Sequence, residues 1–215
     1  MKLSITAAAA ALAFVASTAA QAAPLPISGG TTAVTLTSAA TLGSLGLGVA
    51  GLGSATLSPG STGIPIAYFA ITGGSIDTNS FAGRIQHAGS GLRLFTSSAS
   101  ISLTNFLIDT TTGVLSGSVA FGSTSLSAVP LFNIGTSGVL TSPFSLALTS
   151  TAAGALSTVF GVGNLTGTVI GTANTLPITT AVPEPATVAS MLAGLALVGG
   201  LMSRQKRQRR ELTPA

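Results

Sequence analysis

Few side chains in this 215-residue chain could do chemistry. There is one His, His87, and one Tyr, Tyr68, and there is no Cys or Trp. Between residues 23 and 181 the charged side chains are Asp77, Arg84, Arg93 and Asp109, which sum to zero. A hydrolytic triad needs a nucleophile, a base and a carboxylate that orients the base. Ser is abundant, but His87 is the sole base on offer, and no Gly-x-Ser-x-Gly elbow presents a nucleophile. Zinc and calcium sites need His, Cys or carboxylates at close spacing, which one His and two Asp spread from 77 to 109 do not supply. A two-carboxylate glycosidase would have to use Asp77 and Asp109, and both read better as turn formers. Gly46-Leu47-Gly48-Val49-Ala50-Gly51 matches the dinucleotide pattern in letters alone. It lies in a Gly-rich run without a βαβ unit, and the next acidic residue, Asp77, comes late for a ribose. The chain therefore reads as a non-enzyme with no metal site and no resident cofactor. Tyr68 and His87 remain as the side chains able to ligate or hydrogen-bond a bound group.

The elements that would position these residues read as β. Ile66 to Thr72 and Leu92 to Thr96 are rich in β-branched and apolar residues. Ile101 and Leu103 alternate with Ser102 and Thr104, the pattern of a half-buried strand. Asn105-Phe106 shifts that alternation and predicts a bulge. Asp109 to Gly113 is hairpin turn chemistry, and Val114 to Phe121 returns from it. Pro130 interrupts Leu126 to Ile134 and predicts an edge or a bend. In Ser150 to Phe160, Ala152, Leu156, Val159 and Phe160 fall at helical spacing, with Gly161 as the cap. Leu165 to Ile170 and Leu176 to Ala181 are expected as two last strands. Leu25 to Ser61, of low complexity, gives no clear pattern. The expected fold class is mainly β: an antiparallel β-sandwich or open barrel with one short helix, a signal helix before it and a transmembrane helix after it.

The ends carry what the middle lacks in charge. Lys and Arg together number 8 and Asp and Glu 4, so the chain is 6% charged, against roughly 25% in ordinary globular proteins. The net charge of +4 comes from the termini and is no nucleic-acid footprint, so no nucleic-acid partner is expected. Lys2 precedes an apolar run from Ala7 to Ala16, and Ala20-Gln21-Ala22 supplies a small-x-small signal peptidase site. Residues 1–22 thus read as a cleaved signal peptide and 23–181 as the mature Ser/Thr/Gly-rich domain. After Val182-Pro183-Glu184-Pro185 comes an uncharged stretch, 186–203. At about 1.5 Å per residue its helix would span roughly the hydrocarbon core of a bilayer. Arg204, Lys206, Arg207, Arg209 and Arg210 follow directly, a stop-transfer cluster that keeps the tail cytoplasmic and the domain outside.

Pro-Glu-Pro, an apolar helix with paired glycines (Gly199, Gly200) and an Arg-rich tail, in that order over 182–210, resemble the PEP-CTERM sorting signal. The resemblance implies recognition by a membrane exosortase at Pro183, Glu184 and Pro185, followed by loss of the helix and tail. The prolines suit that role because they block helix and lack backbone donors, keeping the segment extended. The domain also resembles those of other PEP-CTERM proteins at His87-Ala88-Gly89-Ser90-Gly91-Leu92, at 103–110, at Gly113-Val114-Leu115-Ser116-Gly117 and at 129–134. That likeness implies no activity. Gly83-Arg84-Ile85-Gln86-His87-Ala88-Gly89 faintly resembles secreted β modules that carry haem, which would make Tyr68 or His87 an axial ligand. The expected function is a surface or extracellular-matrix protein working by adhesion or by association with extracellular polysaccharide in a biofilm. Its partners would be signal peptidase, exosortase and, before processing, the membrane. A secreted ligand-binding module, haem included, is the second expectation.

Overall fold

The computed structural model describes residues 24–135, 143–180 and 190–196. Strands follow one another with short turns: β1 (Leu25–Thr35), β2 (Gly48–Gly53), β3 (Thr56–Pro59), β4 (Pro65–Ala70), β5 (Gly73–Ile76) and β6 (Gly83–Phe95). Then come β7 (Ser100–Asp109), β8 (Val114–Phe121), β9 (Thr124–Gly135), β10 (Phe144–Leu148) and β11 (Val169–Thr179). Helix α1 (Ala39–Ser44) lies between β1 and β2, and α2 (Ser150–Phe160) between β10 and β11. The mainly β, antiparallel reading of the sequence holds.

All ladders are antiparallel, and β6 to β11 pair in chain order. The sheet then returns on itself, because β11 pairs with β1 from Ile27–Thr179 to Thr35–Thr172. The other edge of β1 pairs first with β5 (Leu25–Ile76) and then with β4 (Thr35–Ile66). Strand β6 divides its free edge in the same way between β5 and β2. The wall is therefore sealed by β5 at one end and flanked at the other by β4–β3 and by β2. Among the described residues no ladder joins β3 to β2.

Alternation decides which residues go inside. Ile101, Leu103, Phe106 and Ile108 on β7 are buried, as are Leu115 and Val119 on β8, while their hydroxyl neighbours face out. The bulge expected at Asn105-Phe106 is present: register shifts between Thr104 and Leu107, with Asn105 at φ 54°. Pro130 also sits at a register shift. Strand β9 pairs with β10 only from Phe132 to Gly135, so among the described residues Pro130 stands where that edge of β9 has no ladder partner, as an edge or bend position requires.

Helix α2 has the bounds the apolar spacing predicts. The Thr149 hydroxyl accepts from the Ala152 N–H at 3.1 Å and donates to the Pro130 carbonyl at 2.7 Å, which ties the helix start to the bend in β9. Gly161, left-handed at φ 68°, ends it. Ala152, Ala153 and Leu156 are its buried residues.

Two expectations change. The two last strands are one, β11, because Leu165–Thr168 is a turn in which Asn164 Oδ1 accepts from the Thr166 N–H and Gly167 takes φ 78°. The low-complexity stretch forms β1, α1, β2 and β3. The signal helix and the basic tail fall outside the described residues. Of 186–203, residues 190–196 are described, as helix with Met191, Leu192 and Leu195 exposed. Among the described residues no helix is long and apolar enough to cross a membrane.

Candidate functional site

His87 is drawn inside by strand alternation: Ile85 and His87 on β6 are buried, and Gln86 between them is exposed. Beyond His87 both strands are irregular. Strand β6 shifts register between His87 and Gly91, opposite the β7 bulge at Asn105. The Asn105 Oδ1 accepts from the Gly89 N–H at 3.0 Å, and the buried Ser90 hydroxyl donates to the His87 carbonyl at 3.2 Å. Gly91 is required here, since a Cβ would collide with the Leu103 carbonyl and with Thr104. Paired bulges of this kind bend strands and re-aim side chains.

Thr32 on β1 and Thr175 on β11 are register partners, and both are buried. Thr32 Oγ1 donates to Thr175 Oγ1 at 3.1 Å and lies 2.8 Å from His87 Nε2. Which of Thr32 Oγ1 and His87 Nε2 donates depends on the imidazole tautomer. Nδ1 is buried and has no hydrogen-bond partner. Burial pushes the imidazole from its ordinary 6.5 down to about 4; the backbone of its register partner Phe106 pulls the other way. His87 is thus neutral at neutral pH. Phe69 meets it edge-on at 6.3 Å between ring centroids and meets Phe106 edge-on at 5.3 Å.

His87, Thr32 and Phe69 line a cavity of about 220 Å³ inside the sheet. The rest of the lining is almost wholly aliphatic and aromatic, from every side of the barrel: Val34, Leu92, Ile101, Ile108, Leu131, Leu146, Leu156 and Ala173 among others. Leu126 and Thr151 also line it and are solvent-exposed, so it opens between the β8–β9 hairpin and the start of α2.

The other side chains singled out by sequence lie elsewhere. Tyr68 on β4 faces outward and is 38% exposed, while its neighbour Phe69 is buried. Alternation sends these adjacent strand residues to opposite faces. The structure does not bring Tyr68 and His87 together. Asp77 Oδ1 accepts from the Asn79 and Ser80 N–H groups, which hold its carboxyl below the usual range. Burial would raise Asp109, but the Arg84 Nε–H at 2.9 Å and the Thr112 and Thr111 N–H groups outweigh it. Both aspartates are engaged in turns and neither bonds His87, so no triad is assembled. Among the described residues no cluster of three metal-binding side chains occurs. Ala20, Ala22, Pro183, Glu184, Pro185 and the cluster from Arg204 to Arg210 fall outside the described residues. Sequence reasoning missed Thr32 and Thr175. In alternating strands they look like any outward hydroxyl, and their partners lie 55 and 143 residues away along the chain.

The chain carries a PEP-CTERM protein-sorting motif at residues 181–208. The motif agrees with the resemblance read at 182–210. No curated protein sequence matches the chain. Among solved structures, the heme binding protein HtaB from Corynebacterium glutamicum is similar with a TM-score of 0.51 at 11% identity. The match covers 73% of this chain and 96% of HtaB. The C-terminal domain of HtaA from the same organism matches with a TM-score of 0.48 at 13% identity, over 69% of this chain and 95% of that domain. At these identities the likeness is one of fold. The sorting motif makes this an exported protein with a membrane-anchored precursor.

Proposed function

We propose that this is an exported, non-enzymatic binding module: residues 1–22 are removed, the sorting signal delivers residues 23–181 to the cell surface, and the barrel holds a small ligand in its interior. The observation that carries this reading is the 220 Å³ apolar cavity that opens beside Leu126 and Thr151. Close packing leaves few voids of that size in a domain interior. Apolar cavities stay dry and take up apolar molecules, as one of about 150 Å³ takes benzene. Solvent extraction of the purified protein and mass spectrometry of the extract form the test. One apolar molecule per chain is expected. The reading falls if the extract is empty and no apolar probe raises the melting temperature.

Haem is the weaker form of the same reading. HtaB is described as heme binding, but the two possible ligands here face opposite sides of the sheet, and Nε2 of His87 is engaged by Thr32. The cavity is also below the roughly 300–1,000 Å³ of ordinary ligand pockets. Added haem is therefore expected to give no Soret band that depends on Tyr68 or His87. Adhesion or polysaccharide association is a second reading, supported by the hydroxyl-rich outer face of strands such as β7 and β8, where Asp109 is the one charged residue. It is tested by whether deleting the gene changes biofilm mass. Exosortase cleavage at Pro183-Glu184-Pro185 is tested by intact mass. Loss of everything beyond that segment supports it, and retention of the tail makes the apolar stretch a permanent anchor.

A further inference from the structure

We infer that in the anchored precursor the barrel docks on the bilayer surface through Leu176 and Ile178 of β11, with Pro26 of β1 beside them, so that the mouth of the cavity points away from the membrane. The inference rests on reading 186–203 as the precursor's membrane anchor, and it is independent of what the cavity holds.

Leu176 and Ile178 are 60% and 61% exposed, more than any other large apolar side chain described in the barrel. Ala173 and Thr175 on the same strand are buried, so alternation sends Leu176 and Ile178 outward, two residues apart on one face. On the neighbouring β1, Gly29 is the register partner of Ile178, and the Ser28 hydroxyl donates to the Ile178 carbonyl at 3.2 Å. Ile27 points inward there, so exposed Pro26 shares the outer face with Ser28. Neither β1 nor β11 contains a charged residue. Scattered single apolar residues on a surface need no explanation, but an adjacent, strongly exposed set in an uncharged surround marks a contact.

The course of the chain names the occupant. Strand β11 ends at Thr179, and only residues 180–185 separate it from the apolar stretch 186–203. At about 3.5 Å per residue this tether reaches no more than ~25 Å. The patch is thus held beside the bilayer at high effective concentration, where a contact too small to recruit a free protein suffices. With no cation in β1 or β11, the contact is apolar and needs no anionic lipid. The cavity lies open at the other end of the barrel. Antiparallel order puts the end of β11, the start of β1 and the turns after β5 and β7 at one end. It puts the β8–β9 hairpin, the end of β10 and the start of α2, which frame the mouth, at the opposite end. The two ends are about 30 Å apart along β11.

The chain has no Cys, so one introduced Cys carries the only fluorophore. Full-length protein in phosphatidylcholine nanodiscs is labelled at Pro26→Cys or, at the far end, at the exposed Thr124→Cys. Lipids bearing a nitroxide on the headgroup serve as quencher. Quenching at position 26 is expected to exceed that at 124 at least twofold. Leu176→Thr combined with Ile178→Thr keeps the tether and the strand preference, and should abolish most of that difference with an unchanged melting temperature. Equal quenching at the two positions, or a difference that survives the double substitution, would overturn the docking. Stronger quenching at 124 would overturn the orientation. Two chains per nanodisc joined by a disulfide between Ile178→Cys residues would give the patch to a second copy and overturn the lipid. A chain that leaves the nanodisc would remove the anchor, and the docking with it.

Discussion

The two faces of the barrel wall are built from the same short list of residues and do different work. On the outer face Thr and Ser hydroxyls, Gln86, Tyr68 and the Arg84–Asp109 pair meet water. On the inner face the same residue types appear rarely, and each is bound into a specific contact, as Thr32, Thr175, Ser90 and His87 are. Tyr68 and Phe69, or Gln86 and His87, are chain neighbours with opposite environments. A polar side chain in this protein is therefore worth what its side of the wall makes it. Outside, hydrogen bonds to water compete on equal terms; inside, an unmet one is a defect or a recognition point.

Substitutions on the two faces should separate by magnitude. Ile108→Ala removes buried wall beside the cavity and should cost about 2–5 kcal/mol in urea denaturation. Thr31→Ala, on the opposite face of β1, should stay within about 0.5 kcal/mol. Equal costs would break the distinction. Titration should show it next. Above about pH 6.5 His87 is neutral in both the folded and the unfolded chain, and its ionisation does not affect stability. Between 6.5 and about 4 the unfolded chain takes up a proton that the fold refuses, so stability falls as pH falls, by roughly 3 kcal/mol in all. His87→Phe should flatten that limb of the stability–pH curve, and an unchanged slope would place the ring in water.

Smaller effects sharpen the comparison at its edges. Thr149→Ala removes the cap of α2 and its tie to Pro130, and should cost about 1–2 kcal/mol. Because α2 forms one lip of the opening, faster exchange of a bound probe is expected with it. Arg84→Ala breaks an ion pair whose Arg is 67% exposed and should cost less than about 1 kcal/mol by thermal unfolding, with probe binding unchanged.

The linear message of this protein was open to reading in the chain alone. The three-part sorting signal, the β-bulge at Asn105, the turn at Asp109 and the helix from Ser150 to Phe160 with its Gly161 cap all follow from residues within a few positions of one another. Hydrophobic period, capping and turn chemistry are local, so sequence carries them. The merger of the last two expected strands into β11 was harder, because pairing with β1 and β10 sustains strand through Gly171, which no local pattern announces. The candidate site was not legible. His87 and Tyr68 stood out by being unique, but no local rule says that one faces in and the other out. Register between strands far apart in the chain decided it, bringing Thr32, His87 and Thr175 into one hydrogen-bonded row, with Thr32 and His87 among the residues that line the cavity. Composition and short spacing determined where the protein is sent. The cavity was decided by the tertiary structure alone, because a cavity is a property of contacts between distant residues.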